Sequence, residues 1–550
     1  MDNIDQSASK RLTSSWVVLF ILFLLSVGIR APNIDRPLST NYEWVTAHTL
    51  VTLRIWIEEG ITTHRFSPVY TYSNPNDHYI KCPPSGISDS AGNYYYVSYP
   101  PFSFILPFVF FKTLGIYPTA LGLQIFNLIF HFLSGLLIYA IMCRLYDRKM
   151  SQGIFAPALV SFCVYTFSSS PLWYHSNVYF ADILVQFFFI LSTYLLIGIL
   201  RSSHKTSTLS FGLLGVSIFL MIYTEWLGVF FAATAFVVCF LYRKKSKASL
   251  KSMGVIVLSS VLALLLILFQ YFSIDGYEVF WNLAQNRLTE RSGHTSTGRG
   301  DFYALESHLF MLRSYGSNYF PHLVIGLFLS LNLFIYKGKQ SIRQPEMIMA
   351  LLALTLMPVV LHHLIFFQFT IIHDIAILKT CVFISVILGI LYFQVQHSLS
   401  TEKSVVIRAV PAIVVTLMLS MSVYFYYSHI IWPDEYFSQR LGAEIKNNAT
   451  PEETVFFKTE DTLGWAVLKE SDGTFVIAPQ IHYYSGRCIQ TIPDLEAAQS
   501  HLRDFNKSKG VIFTIQNSRY EIENIERITA DEDLSLRTDS INAQGNSFDQ

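Results

Sequence analysis

The residues of this chain that could do chemistry stand in a strongly apolar setting. Glu43 lies in Asn41-Tyr42-Glu43-Trp44, at the start of a helical run carrying Val45, Leu50, Leu53 and Trp56. A carboxylate there suits a general base that takes a proton from a hydroxyl near a membrane surface. The plain alternative is a solvated or helix-capping acid. Asp35 is the second candidate base, and Asp35-Arg36 also reads as a local pair. Asp182 and Glu225 interrupt long apolar runs, where a charge is costly enough that it points into a protein cavity or meets a partner. For Glu225, a turn between two short helices is the competing reading. Lys379 sits in another apolar run, near His362, His363, His373 and Asp374, and is the expected phosphate partner of that group. Arg287, Arg291 and Arg313 lie in a stretch loosened by Gly293 and Gly300. Guanidinium groups hold phosphates through planar, bidentate contacts. A flexible loop closing on a lipid phosphate fits, and so does a plain solvated loop, because Glu290, Asp301 and Glu306 dilute the charge. His131, alone in an apolar span, reads as a helix-to-helix hydrogen bond.

The elements that must position these residues are membrane helices. Of 550 residues, 52% are hydrophobic, 15% aromatic and only 14% charged, and mean hydropathy is +0.38. That is too apolar for a soluble globular protein. Lys plus Arg and Asp plus Glu both number 39, so bulk charge offers no case for a nucleic-acid partner. Eleven segments read as transmembrane helices: 15–30, 120–143, 154–170, 178–200, 208–223, 225–242, 252–272, 321–336, 347–366, 375–395 and 407–430. Residues 100–114 are apolar but short and open with Pro100-Pro101. If they lie along the outer surface, every short loop rich in Lys and Arg falls on the cytoplasmic side, as the positive-inside rule requires. The first span carries no small-residue cleavage pattern and reads as a retained helix.

The expected layout is a polytopic α-helical membrane protein of about 11 transmembrane helices with outer-face juxtamembrane helices. Residues 1–14 form a cytoplasmic N-terminus, and 15–430 the membrane domain with outer loops 31–119 and 273–320. A small extracytoplasmic α/β domain follows at 431–538, with β-rich runs at 454–458, 474–478 and 510–515 and a helix over 495–507. Residues 539–550 read as a disordered tail. Cys82 and Cys488 are the two cysteines in outer regions. A disulfide between them and two unrelated thiols are both open readings.

In layout over residues 10–430 the chain resembles GT-C class glycosyltransferases, closest to bacterial relatives of protein O-mannosyltransferases and lipid A aminoarabinose transferases. The family's acidic pair after the first span corresponds to Tyr42-Glu43-Trp44, with one acid instead of two. Its Lys-Pro-Pro element appears as Tyr99-Pro100-Pro101, so Lys81 or an outer-loop arginine has to replace the missing lysine. Asp182 matches the family's acid early in an outer-facing span. The resemblance implies an integral protein of the bacterial inner membrane. Such an enzyme moves a sugar from a polyprenyl-phosphate carrier to a lipid, glycan or protein acceptor, by inverting displacement. Glu43 and Asp35 are then the catalytic carboxylates, and Lys81, Tyr99, Asp182, Glu225, Arg287, Arg291 and Lys379 the substrate-binding set. No cofactor is required, and a divalent metal is left open. A flippase or transporter of lipid-linked sugars, or a glycan polymerase or ligase, competes with this reading.

Overall fold

The computed structural model describes residues 2–38, 42–81, 86–202, 206–294, 300–335, 344–401, 404–429, 436–459, 467–469, 475–516 and 521–531. Cys82 and the stretch 539–550 lie outside them. The chain divides into two compact units. One comprises residues 1–36 with 97–432, the other 37–96 with 433–550.

The first unit is helical, as hydrocarbon demands, since no water is present there to satisfy backbone N–H and C=O groups. All eleven expected segments are helical. Eight helices among the described residues are long and apolar enough to cross a membrane, from Ser15–Asn33 to Val405–Ser428. Shorter apolar helices occupy Phe102–Leu114, Ala156–Phe167, Thr208–Thr224 and Leu227–Tyr242. The last two meet at Glu225-Trp226, where Gly228 packs so closely on the Ile222 backbone that any side chain would collide with it. The core of the unit runs along Ala181–Arg201 and Ile375–Ser398, whose apolar windows are 72% and 83% buried, against 22% for Lys247–Ser292 and Val405–Ser428.

Arg30, which reads in the sequence as the flank of the first span, is wholly buried. Its Nε donates to the Leu172 carbonyl at 3.0 Å, Nη1 to Ser26 at 2.9 Å and Nη2 to Pro171 at 3.2 Å. His131 Nε2 lies 3.2 Å from Nη2, so this histidine does link helices, through a cation that carbonyl dipoles solvate.

The stretch 273–320, expected as an outer loop, is largely helical among the described residues. The helix Lys247–Ser292 runs on through it with one break, at Asp275 and Gly276, and Leu305–Ile335 begins the next. Gly276, at φ +81°, takes up the break at no Cβ cost. Beyond it Phe280, Leu283, Ala284, Arg287, Leu288 and Arg291 repeat at helical spacing and line one cavity, which gives the segment an apolar face to bury.

The second unit is α/β. Its four-stranded sheet has the order Ile489–Ile492, Thr454–Lys458, Lys509–Gln516, Glu521–Thr529, with the first three strands parallel and the last antiparallel. Side chains alternate across it. Val455, Phe457, Val511 and Phe513 pack with Leu441, Ile445 and Ile481 on one face, and Phe456 and Ile512 with Ala498 and Leu502 on the other, the period-2 pattern of a sheet covered on both sides. The polar stretch after the first span is built into this unit. The helix Trp44–Glu59 lies against Pro479–Ser485, Arg54 stacks on the Tyr483 ring at 3.9 Å, and the Tyr72 hydroxyl donates to the His482 carbonyl at 3.0 Å. Cys488 is disulfide-bonded, while Cys143, Cys163, Cys239 and Cys381 are free.

Candidate active site

Four residues far apart in sequence meet in the core of the helical unit. Asp182 stands in the first turn of Ala181–Arg201, and Glu225 caps the end of Thr208–Thr224. His362 lies in the last turn of Pro345–Ile365, and Lys379 ends the short turn that leads into Thr380–Ser398. All four are buried. Lys379 Nζ donates to Asp182 Oδ1 and lies 3.6 Å from Glu225 Oε1. His362 Nε2 lies 3.0 Å from the same Glu225 oxygen and 3.4 Å from Lys379 Nζ. Glu225 Oε2 accepts from the Leu227 N–H at 2.8 Å. Glu225 therefore makes the turn between the two short helices and is buried against His362 and Lys379.

The network has two carboxylates and one lysine, and it is incompletely satisfied. Asp182 Oδ2 and His362 Nδ1 are buried without a hydrogen-bond partner. In a native structure each such orphan needs an explanation, a ligand or water among them. Phe369 connects the network to Arg291: Lys379 Nζ lies 5.8 Å and the Arg291 guanidinium 5.2 Å from its ring centre. Arg291 also lies 5.1 Å from the buried Tyr99 ring, so the aromatic of Tyr99-Pro100-Pro101 supports a cation in place of carrying one.

Arg287 and Arg291 line a cavity of about 350 Å³ whose walls include Trp226, Ile267, Leu268, Phe280 and Phe366. Arg287 pairs with Glu290 at 2.8 Å and is partly exposed. An apolar slot ending in guanidinium groups can take a ligand with a hydrocarbon body and an anionic head. Two of the expected residues, Arg287 and Arg291, line this cavity; Tyr99 and Lys379 reach it through Arg291 and Phe369.

The remaining candidates lie elsewhere. Asp35, at φ +57°, is exposed, and its backbone N–H donates to Gln124 Oε1 at 3.0 Å. Glu43 and Lys81 belong to the second unit. Glu43 is 1% exposed and precedes the helix Trp44–Glu59, but its side chain makes no capping bond, which removes the plainest bland reading of it. Its carbonyl accepts from Ala47 N–H at 3.0 Å. Its charge contributes, after burial, to raising the Tyr484 hydroxyl above its ordinary pKa. Lys81 is half-buried. No group of three or more His, Cys, Asp or Glu among the described residues could hold a metal ion. Between Asp182 and Glu225 the cation is Lys379.

No protein-family model matches this sequence, and no curated protein does. Solved structures do. ArnT from Cupriavidus metallidurans in the apo state is 11% identical, with 92% of this chain and 94% of that chain covered at a TM-score of 0.54. ArnT bound to undecaprenyl phosphate gives 11%, the same coverage and 0.53. The archaeal oligosaccharyltransferase AglB from Archaeoglobus fulgidus, in complex with an inhibitory peptide and a dolichol-phosphate, is 12% identical, with 91% of this chain and 69% of that chain covered at 0.55. The fold is that of the GT-C glycosyltransferases. Within this GT-C fold the Asp182–Lys379 pair links the two most buried of the eight long apolar helices, and His362 is its added member. The sequence signal for His362 was the cluster of histidines around 362–373, but nothing in the spacing singles it out from His363 and His373.

Proposed function

We propose that this chain is a membrane glycosyltransferase that moves a sugar from a polyprenyl-phosphate carrier to a lipid, glycan or protein acceptor on the extracytoplasmic face. The observation that carries this reading is the apolar cavity with Arg287 and Arg291 on one helix face of its lining, in a GT-C fold. Its walls suit an isoprenoid chain, and its guanidinium groups suit the phosphate that leaves. The undecaprenyl phosphate and dolichol-phosphate bound in ArnT and AglB support that ligand class.

In this reading the eight long helices and three of the four shorter ones cross the membrane, with the N-terminus cytoplasmic. Phe102–Leu114 is the exception. It lies along the outer surface, the placement that keeps every short loop rich in Lys and Arg on the cytoplasmic side.

The reaction is a direct displacement. The acceptor oxygen attacks the anomeric carbon from the face opposite the phosphate, the bond from that carbon to the phosphate oxygen breaks with inversion, and the new glycosidic bond forms. The hydroxyl proton passes to a base, for which Glu43 is the candidate the sequence offers, and Arg291 and Arg287 hold the charge on the departing polyprenyl phosphate. Lys379 keeps Asp182 and Glu225 compensated and fixes the Phe369 wall behind Arg291. No step runs through a metal.

The two assignments, one in each unit, are tested separately by release of polyprenyl phosphate from a panel of polyprenyl-phosphate sugars. Glu43→Gln is expected to lower kcat by about 10²–10⁴-fold with KM little changed. Full turnover in that variant removes Glu43 as the base. Arg291→Gln is expected to raise KM for the donor about tenfold, the worth of a lost charged hydrogen bond. Wild-type protein that carries the lipid-linked sugar across vesicles without releasing polyprenyl phosphate identifies a transporter instead.

A further inference from the structure

At the other end of the helical unit, a cavity of about 670 Å³ opens between the last turns of Ala120–Leu145 and Ala181–Arg201 and the start of Thr208–Thr224. The Ala181–Arg201 helix has 21 residues, a rise of about 30 Å, with Asp182 at one end and Arg201 at the other. This cavity is therefore not part of the site built around Asp182.

Its charge is one-sided. Among the described residues, Arg144, Arg148, Lys149 and Arg201 line it against a single carboxylate, Asp147. Asp147 is already committed, with Oδ1 2.5 Å from Arg201 Nη2 and Oδ2 accepting from Gln344 Nε2 at 3.2 Å. Arg148 and Lys149 form no ion pair with any described residue, and both are exposed. Arg144 is held in place: it donates to the Tyr194 carbonyl at 2.9 Å and hydroxyl at 2.6 Å, and its guanidinium lies 3.8 Å from the Tyr194 ring centre. Gly198 leaves the room for that guanidinium, since any Cβ there would overlap it. Two further polar atoms, Arg201 Nη1 and Thr206 Oγ1, are buried with no hydrogen-bond partner. A buried guanidinium N–H and a hydroxyl left open beside three unneutralised cations form an incomplete anion site.

We propose that this cavity binds the phosphate headgroup of an anionic membrane lipid. Ala140, Leu195 and Ile199 add an apolar wall, which a free phosphate would not use and an acyl chain would. The cavity lies at helix ends, and in the orientation proposed above those ends and their short basic loops face the cytoplasmic leaflet, where basic pockets between helices recognise anionic headgroups. The inference does not depend on the transfer reaction proposed above.

The test uses the purified full chain in phosphatidylcholine nanodiscs, with spin-labelled phosphatidylglycerol as the probe. Wild type is expected to retain phosphatidylglycerol selectively over spin-labelled phosphatidylcholine. Arg148→Gln/Lys149→Gln, changed at exposed positions, is expected to weaken retention by about fivefold for each removed cation. Lys244→Gln/Lys251→Gln removes the same net charge outside the cavity and is expected to leave retention unchanged. Equal losses in both double variants would reduce the effect to bulk charge and overturn the proposal, as would wild-type protein without lipid selectivity. Displacement of the probe by millimolar inorganic phosphate overturns the lipid assignment in favour of a soluble phosphate ligand. Failure of phosphate to compete supports it.

Discussion

Each unit of this protein buries an ion pair, and the two are finished differently. In the α/β unit Arg487 Nε donates to Asp77 Oδ1 at 2.8 Å, Nη1 to the Thr450 carbonyl at 2.9 Å and Nη2 to the Glu453 carbonyl at 2.6 Å. Asp77 Oδ2 accepts from the Cys488 N–H at 3.1 Å. Every nitrogen of the guanidinium and both carboxylate oxygens are used. In the helical unit Lys379 faces two carboxylates, and Asp182 Oδ2 and His362 Nδ1 stay open. A buried pair with full hydrogen bonding acts as a fastener. One with surplus acid and orphaned atoms, against an aromatic wall it shares with Arg291, stores binding capacity at a cost in stability.

The largest effect expected from this contrast is at Lys379. Lys379→Met leaves Asp182 and Glu225 uncompensated, and about 3–5 kcal/mol of stability and more than about 100-fold in turnover should be lost. Asp182→Asn/Glu225→Gln/Lys379→Met, which neutralises all three buried charges, should recover the thermal midpoint in detergent while turnover stays low. Recovery of both would make the network merely structural and erase the distinction.

The matching experiment in the other unit should behave oppositely. Asp77→Asn or Arg487→Met alone is expected to cost about 3–5 kcal/mol, because each strands a buried partner. The double variant should regain both stability and turnover. A double variant that folds but does not turn over would give the fastener a functional part.

The smallest effect concerns pH in the α/β unit. Burial, then the His482 charge, holds His48 well below its ordinary pKa, and burial lowers His482 to about 4 against hydrogen bonds that its ring donates to the Arg487 and Ile477 backbone. Folded protein thus binds fewer protons than unfolded as pH falls from about 6.5 to about 4, and stability drops over that window. Asp77 opposes this. Burial outweighs Arg487 and raises its pKa to about 6, so its contribution is present at low pH and lost as pH rises through about 6. With His501 also lowered to about 4, by burial first, three histidines stand against one aspartate and acidification leaves a net loss of stability, measurable as lower hydrogen-exchange protection, relative to the intrinsic rate at each pH, in the helix Pro479–Ser485. Unchanged protection between pH 6.5 and 4 would count against neutral His48 and His482.

Much of the helical unit was legible because its driving force is local in sequence. Runs of apolar residues long enough to cross hydrocarbon are read without knowing what they touch, and each of the eleven is helical. The strand at Thr454–Lys458 was legible for the same reason, through its β-branched and aromatic residues. The stripe from Phe280 to Arg291 had a readable period too, but nearby glycines and mixed charges suggested a loop. Arg30 looked like a flank because a buried arginine with only carbonyls and a histidine around it has no signature in its neighbours along the chain.

What the sequence by itself determined is the membrane class, the helical segments, the sheet-bearing tail and the costly charges at Asp182, Glu225 and Lys379, since each follows from how a stretch of chain meets water or hydrocarbon. Only the tertiary structure decided that residues 37–96 fold with 433–550, that Asp182, Glu225, His362 and Lys379 converge, and that Arg144, Arg148, Lys149 and Arg201 share a cavity. Those are contacts between residues tens to hundreds of positions apart, and their partners are chosen by packing and hydrogen-bond completion, which no local pattern encodes.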